Sequence, residues 1–195
     1  MPGHAHGASG AAFVGTWTLM MIPMMLPSLA PVLVRAARPG VMALAYYAVW
    51  AAVGVAVHAG GLVVGPGVTA VPWVSGVVVL LAGALQFTRW KQRALARCHA
   101  VAAAGGPAAS VMDEWRRGLR LGLACVRSCA GPTAVLVVLG AMDPWVMTVV
   151  AVVITAERLA RRPLLAARTA GAVALGVGVV LLGGAGRMEV WVSPW

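Results

Sequence analysis

The sequence predicts an all-α polytopic membrane bundle of six transmembrane helices with both termini outside. Composition is the first reason. Hydrophobic residues make up 61% of the 195 and charged residues 10%, where a soluble domain carries roughly a quarter; mean hydropathy is +0.90. Span length is the second. Six apolar stretches are long enough, or nearly so, to cross ~30 Å of hydrocarbon at ~1.5 Å per residue. The third is charge: Lys and Arg cluster in alternate connections, the pattern that keeps basic loops in the cytoplasm.

The spans are predicted at Ala11–Val34, Val41–Val64, Ala70–Phe87, Leu119–Ala141, Pro144–Glu157 and Leu164–Gly184. They form one membrane domain over 1–195, with a flexible His-containing tail at 1–10 and a flexible cytoplasmic linker at 98–110. Arg35 and Arg38 follow the first span. Arg89, Lys91, Arg93, Arg97, Arg116, Arg117 and Arg120 separate the third from the fourth, and Arg158, Arg161, Arg162 and Arg168 the fifth from the sixth. The connections around Gly65–Thr69 and Met142–Asp143 hold no Lys or Arg. The net charge of +10 therefore orients the protein and attracts anionic lipid headgroups; no nucleic-acid partner is expected. The first apolar run is too long for a cleavable signal peptide and lacks a basic leader. Three cysteines cannot all pair, and no disulfide framework is expected.

The first span reads WTLMMIPMMLPSLAP over residues 17–31. Met20, Met21, Met24 and Met25 make two pairs at i and i+4. Pro23, Pro27 and Pro31 recur every four residues, and each frees the carbonyl four positions earlier. A bare carbonyl is costly in lipid, so this helix is expected to break and to face other helices or a polar cavity. His58 in the second span reads as a packed or cavity-lining residue. The 98–110 linker contains AAAGGPAAS. Ser110 then stands three residues before Asp113, the spacing of a capping box, and opens a short interfacial helix ahead of the fourth span. Trp73, Trp145, Trp191 and Trp195 near the outer face, and Trp90 and Trp115 near the inner, suit interfacial belts.

The fourth span is interrupted by Arg127 between Cys125 and Cys129. A charge at membrane depth is expensive and marks function. Counted inward from the outer ends, Met24 and Met25 lie about 20 Å deep at ~1.5 Å per residue. Gln86, Cys125, Arg127, Cys129 and Glu157 fall at similar depth. Glu157 is expected to pair with Arg127. Thioethers and thiols prefer soft ions, above all Cu(I). Hard cations want several oxygens, and the five acidic residues do not supply them there. C-x2-C zinc pairs are absent. Cys98 and His99 add a cytoplasmic pair. Loss of Met1 would leave Pro2-Gly3-His4, whose terminal amine, amides and imidazole suit square-planar Cu(II) or Ni(II); His6 adds a second imidazole.

Several of these pieces together resemble a bacterial family of predicted metal-binding integral membrane proteins. They are Trp17 with Met24–Pro27, Gln86 with the basic stretch to Cys98, Gly118 through Cys129, GAMDPWVM at Gly140–Met147, and the Glu157-Arg158 pair. The resemblance implies a six- or seven-helix protein of the plasma membrane linked to copper handling. The chain departs from the family after Cys129, where Ala130, Gly131 and Pro132 replace further Cys and Trp, so an altered site is expected.

The leading expectation is a protein that binds or passes Cu(I) without turnover. Met20, Met21, Met24 and Met25 receive the ion, Cys125 and Cys129 hold it, and Cys98-His99 exchange it on the cytoplasmic side. Two other readings fit parts of the sequence. A non-catalytic accessory subunit of a membrane complex suits the small size and the abundance of Gly and Ala. A membrane thiol oxidoreductase would use Cys125 and Cys129, though redox pairs are normally C-x-x-C.

Overall fold

A computed structural model describes the backbone of residues 4–64, 72–104, 110–140 and 143–192. Among the described residues there are seven helices and no strand: α1 His4–Leu33, α2 Pro39–Val64, α3 Pro72–Leu85, α4 Arg89–Ala103, α5 Val111–Gly140, α6 Pro144–Leu159 and α7 Pro163–Val192. Stretches of α1, α2, α5 and α7 are long and apolar enough to cross a membrane: Gly10–Leu33, Pro39–Val63, Val111–Leu139 and Pro163–Gly184. The pair α3 and α4 passes the same test only jointly, across a 66° bend. At 16 residues, α6 reaches about 24 Å.

Local chemistry sets the helix ends. Asp143 caps α6, accepting from the Trp145 and Val146 amides at 2.8 and 3.1 Å, with Pro144 in the first turn. Proline is well placed there because a first-turn amide has no helical acceptor. Ser110 caps α5 through the Asp113 amide at 3.1 Å and donates back to the Asp113 carboxylate at 2.7 Å. At the α3–α4 bend, Thr88 Oγ1 accepts from the Lys91 amide at 3.3 Å, so the chain restarts as helix in a new direction.

Several expectations change here. The separate interfacial helix before the fourth span is continuous with it, since α5 runs 30 residues without a break. A strong cap at Ser110 and no glycine or proline before Gly118 leave nothing to interrupt the turns. The amphipathic basic segment is instead α4, which absorbs 98–103 of the expected linker; 105–109 lie outside the described residues. At the other end, α1 already covers His4, within the segment read as a tail. It also passes unbroken through all three prolines. Their spacing of four keeps them on one side of the helix, and that side is exposed, while the methionine side is buried.

The chain divides into two compact units, Met1–Val64 with Ala96–Arg127, and Gly65–Leu95 with Ser128–Trp195. In the first, α1 packs on α2, and Trp17 Nε1 donates to the Trp50 carbonyl at 3.1 Å. In the second, α3 and α6 pack on α7. Glycine lets the α3 and α7 backbones meet: a Cβ at Gly83 would lie 3.0 Å from both the Gly171 carbonyl and the Leu175 amide. Gly83→Leu should therefore destabilise the protein by about 1–3 kcal/mol, the cost of overpacking a close contact. Thermal unfolding in detergent measures it; an unchanged melting temperature would contradict this packing.

Candidate metal centre

The i, i+4 methionine pairs of a continuous helix share one side. That side of α1 is buried: Met21 and Met25 are 0% exposed, and Met20 and Met24 nearly so. In the same unit α5 packs closely on α2. A Cβ at Gly122 would fall 2.9 Å from Val49 Cγ2 and 3.1 Å from the Tyr46 carbonyl. Glycine at 122 thus lets Cys125, one turn on, reach the Tyr46 side chain.

Cys125 is fully buried, with Sγ 2.8 Å from Tyr46 Oη and 3.9 Å from Met25 Sδ. Either the phenol or the thiol can donate in the contact with Tyr46. Thiol, thioether and phenol form one small cluster closed from solvent. Among the described residues no three His, Cys, Asp or Glu side chains gather as a metal-binding group. A centre in this unit therefore draws on methionine sulfur, a donor set for a soft ion.

The second unit holds a different cluster. Gln86 Nε2 donates to Glu157 Oε1 at 2.7 Å. Lys91 Nζ donates to Glu157 Oε2 at 2.6 Å and to the Ser128 carbonyl at 2.5 Å. Lys91 and Glu157 are 3% and 2% exposed. The Ser128 carbonyl is an acceptor that needs a donor, because Pro132, four residues on, has no N–H to give. Lys91 supplies it from beyond the α3–α4 bend and neutralises Glu157 with the same ammonium. Arg158 Nη2 donates to Ser128 Oγ at 3.0 Å and lies 3.4 Å from Cys129 Sγ.

The residues of the expected layer fall into two clusters, one in each unit. Met25 meets Cys125 in one unit, and Gln86 meets Glu157 in the other. Cys129 belongs to the second cluster, beside Arg158. The partner of Glu157 is Lys91 in place of the expected Arg127, and Arg127 is exposed. Helical geometry explains the correction. A residue two positions from each cysteine points about 200° away from it, so a helix that buries both turns Arg127 outward. Cys98 is buried on α4 and His99 half-buried beside it. The side chains of His4 and His6 lie outside the described residues. None of the three cysteines is in a disulfide.

Sequence reasoning missed Tyr46, Lys91, Ser128 and Glu114. Lys91 read as one of a basic run, although Ser128 and Pro132 stand four apart and announce an orphan carbonyl. Glu114 is fully buried. Its carboxylate has no hydrogen-bond partner among the described residues, and Arg117 Nη1 stands 4.0 Å from Oε1.

Breaking the buried pair from one side should be severe. Lys91→Met or Glu157→Gln alone should cost on the order of 3–5 kcal/mol, and Lys91→Met with Glu157→Leu clearly less than the sum, since neither charge is then stranded. Arg127→Ala should stay within about 0.5 kcal/mol, as an exposed substitution does. Thermal unfolding of the four variants checks both statements; a large loss at Arg127 would contradict its outward placement.

Comparison with known proteins agrees with this chemistry. No curated protein and no solved structure matches the chain. The PpoB2 family, described as copper chaperone, matches residues 14–181, a span that contains both clusters. The chain therefore belongs to the PpoB2 family of copper chaperones, and copper is the metal it binds.

Proposed function

We propose that the chain is a multi-pass protein of the bacterial plasma membrane that holds Cu(I) between Met25 and Cys125 and hands it on without catalysing a reaction. One observation carries the proposal: two buried sulfur atoms, a thioether and a thiol, stand 3.9 Å apart. With a metal–sulfur distance of about 2.3 Å, two donors at that separation subtend an angle of about 116° at a shared ion. That angle suits three-coordinate Cu(I) and leaves one position open. A third thioether from Met20, Met21 or Met24, all buried on the same side of α1, or a sulfur ligand of the delivering or receiving partner, fills it. Tyr46 supports the bound form, since a thiolate can only accept the hydrogen bond at 2.8 Å.

The route follows the helix. Met20 and Met21 lie one turn nearer the N-terminal end of α1 than Met24 and Met25, so the ion enters from that end. Cys98 and His99 on basic α4 are the exchange pair on the other side. Six spans with both termini outside remain the reading that fits the charge alternation. In it α3 and α4 form a bent element and α6 is a short span. The exposed Leu and Val side chains along α1, α2, α6 and α7 support lipid as the surrounding medium.

Cys125→Ser and Met25→Leu should each lower Cu(I) affinity at least tenfold, about 1.4 kcal/mol, while Cys129→Ser leaves it nearly unchanged. Binding should weaken as pH falls, because the thiol proton must leave before copper enters. Competition against a Cu(I) chelator measures all three variants. Affinity that survives both Cys125→Ser and Met25→Leu rejects the site.

A further inference from the structure

An apolar cavity of about 410 Å³ lies wholly within the second unit. Its walls include Val79 of α3, Val135 of α5, Val149 and Val153 of α6, and Val173 and Val177 of α7. Val149, Val173 and Val177 are also exposed, so the cavity opens sideways on the apolar surface as a groove. Gln86 and Thr169 are its polar side chains, and both sit toward one end. Lining residues on α7 run from Ala166 to Val177, which at ~1.5 Å per residue is about 16 Å. Half of a ~30 Å hydrocarbon core, the depth of one leaflet, is nearly the same.

The polar end has a charge. Arg161 and Arg162 are exposed in the α6–α7 turn, one helical turn or so before Ala166. Glu157, the acidic residue near that end, is buried and already neutralised by Lys91. Two guanidinium groups thus stand at one end of a groove that is otherwise hydrocarbon, and among the described residues neither makes an ion pair. Guanidinium recognises phosphate through paired N–H donors. We propose that this groove binds one anionic phospholipid of the cytoplasmic leaflet, with an acyl chain between α6 and α7 and the phosphate at Arg161 and Arg162. The match is of length, polarity and charge together, and a helix from a second copy would use only the apolar part. This proposal rests on the membrane reading above and is separate from the copper site.

The test uses the full chain purified in mild detergent, with phosphatidylglycerol and phosphatidylcholine titrated in native mass spectrometry. Wild type should retain one phosphatidylglycerol with about tenfold preference over phosphatidylcholine. Arg161→Gln with Arg162→Gln should erase the preference, and Val173→Trp should fill the groove and remove the bound lipid. A cooperative thermal unfolding transition like that of wild type reports that each variant is folded. Should Val173→Trp fail that control, the milder Ala170→Leu replaces it, with the same loss expected. Equal retention of the two lipids by wild type overturns the proposal, as does unchanged lipid binding in the folded groove variants. A wild-type dimer that Val173→Trp converts to monomer, lipid unaffected, assigns the groove to a second copy and also overturns it. Extraction of membranes at alkaline pH separates the two levels: release of the protein defeats the membrane reading itself, while retention with failed lipid binding defeats the groove alone.

Discussion

Removal of water from polar groups constrains both units of this chain. In an apolar interior a carbonyl, an ammonium or a carboxylate that lacks a partner costs several kcal/mol or more. The second unit meets that constraint with charge. Pro132 strips the Ser128 carbonyl of its helical donor, Lys91 fills the gap at 2.5 Å, and Glu157 with Gln86 balances the ammonium. The bend between α3 and α4 delivers both Gln86 and Lys91 to the carboxylate, so bend, proline and ion pair make sense only together. Breaking any one strands the others. The sulfur cluster of the first unit holds no charged side chain and buries groups that tolerate dryness: thioethers, a thiol and one phenol. In the proposed function that lack of fixed charge leaves the cluster available to a cation.

In the proposed function that difference divides structural work from copper work. A Lys–Glu pair already neutral in itself offers nothing to a soft ion. A thiol hydrogen-bonded to a thioether does, because exchange of the thiol proton for Cu(I) leaves the net charge of the cluster unchanged. Methionine contributes without any protonation step, and its weak donation suits a protein that must let go of what it holds. The flexible methionine side chain adds freedom to reposition sulfur as an ion passes.

Much of this architecture was legible. The apolar runs, the Ser110 and Asp143 caps, and the shared side of the four methionines follow from local chemistry and helical period, and the family of copper chaperones accords with the sulfur chemistry read from the chain. What escaped was everything set by rotation and by a distant partner. Depth arithmetic placed Cys125, Arg127 and Cys129 together but ignored that Arg127 points the other way. Lys91 was hidden in a basic run, because only the bend at Thr88 turns it inward. The prolines of α1 suggested a break, yet their period of four confines them to one exposed side and lets the helix continue. Tyr46 carries no motif at all; it acquires a role only from Gly122, which brings α5 close enough for contact.

X-ray absorption at the copper edge tests the central claim most directly, on the protein loaded with one equivalent of Cu(I). The account predicts sulfur neighbours at about 2.3 Å, about three of them, with one sulfur lost on Cys125→Ser. A first shell dominated by nitrogen or oxygen, identical in wild type and Cys125→Ser, would place copper on the histidines and contradict the account.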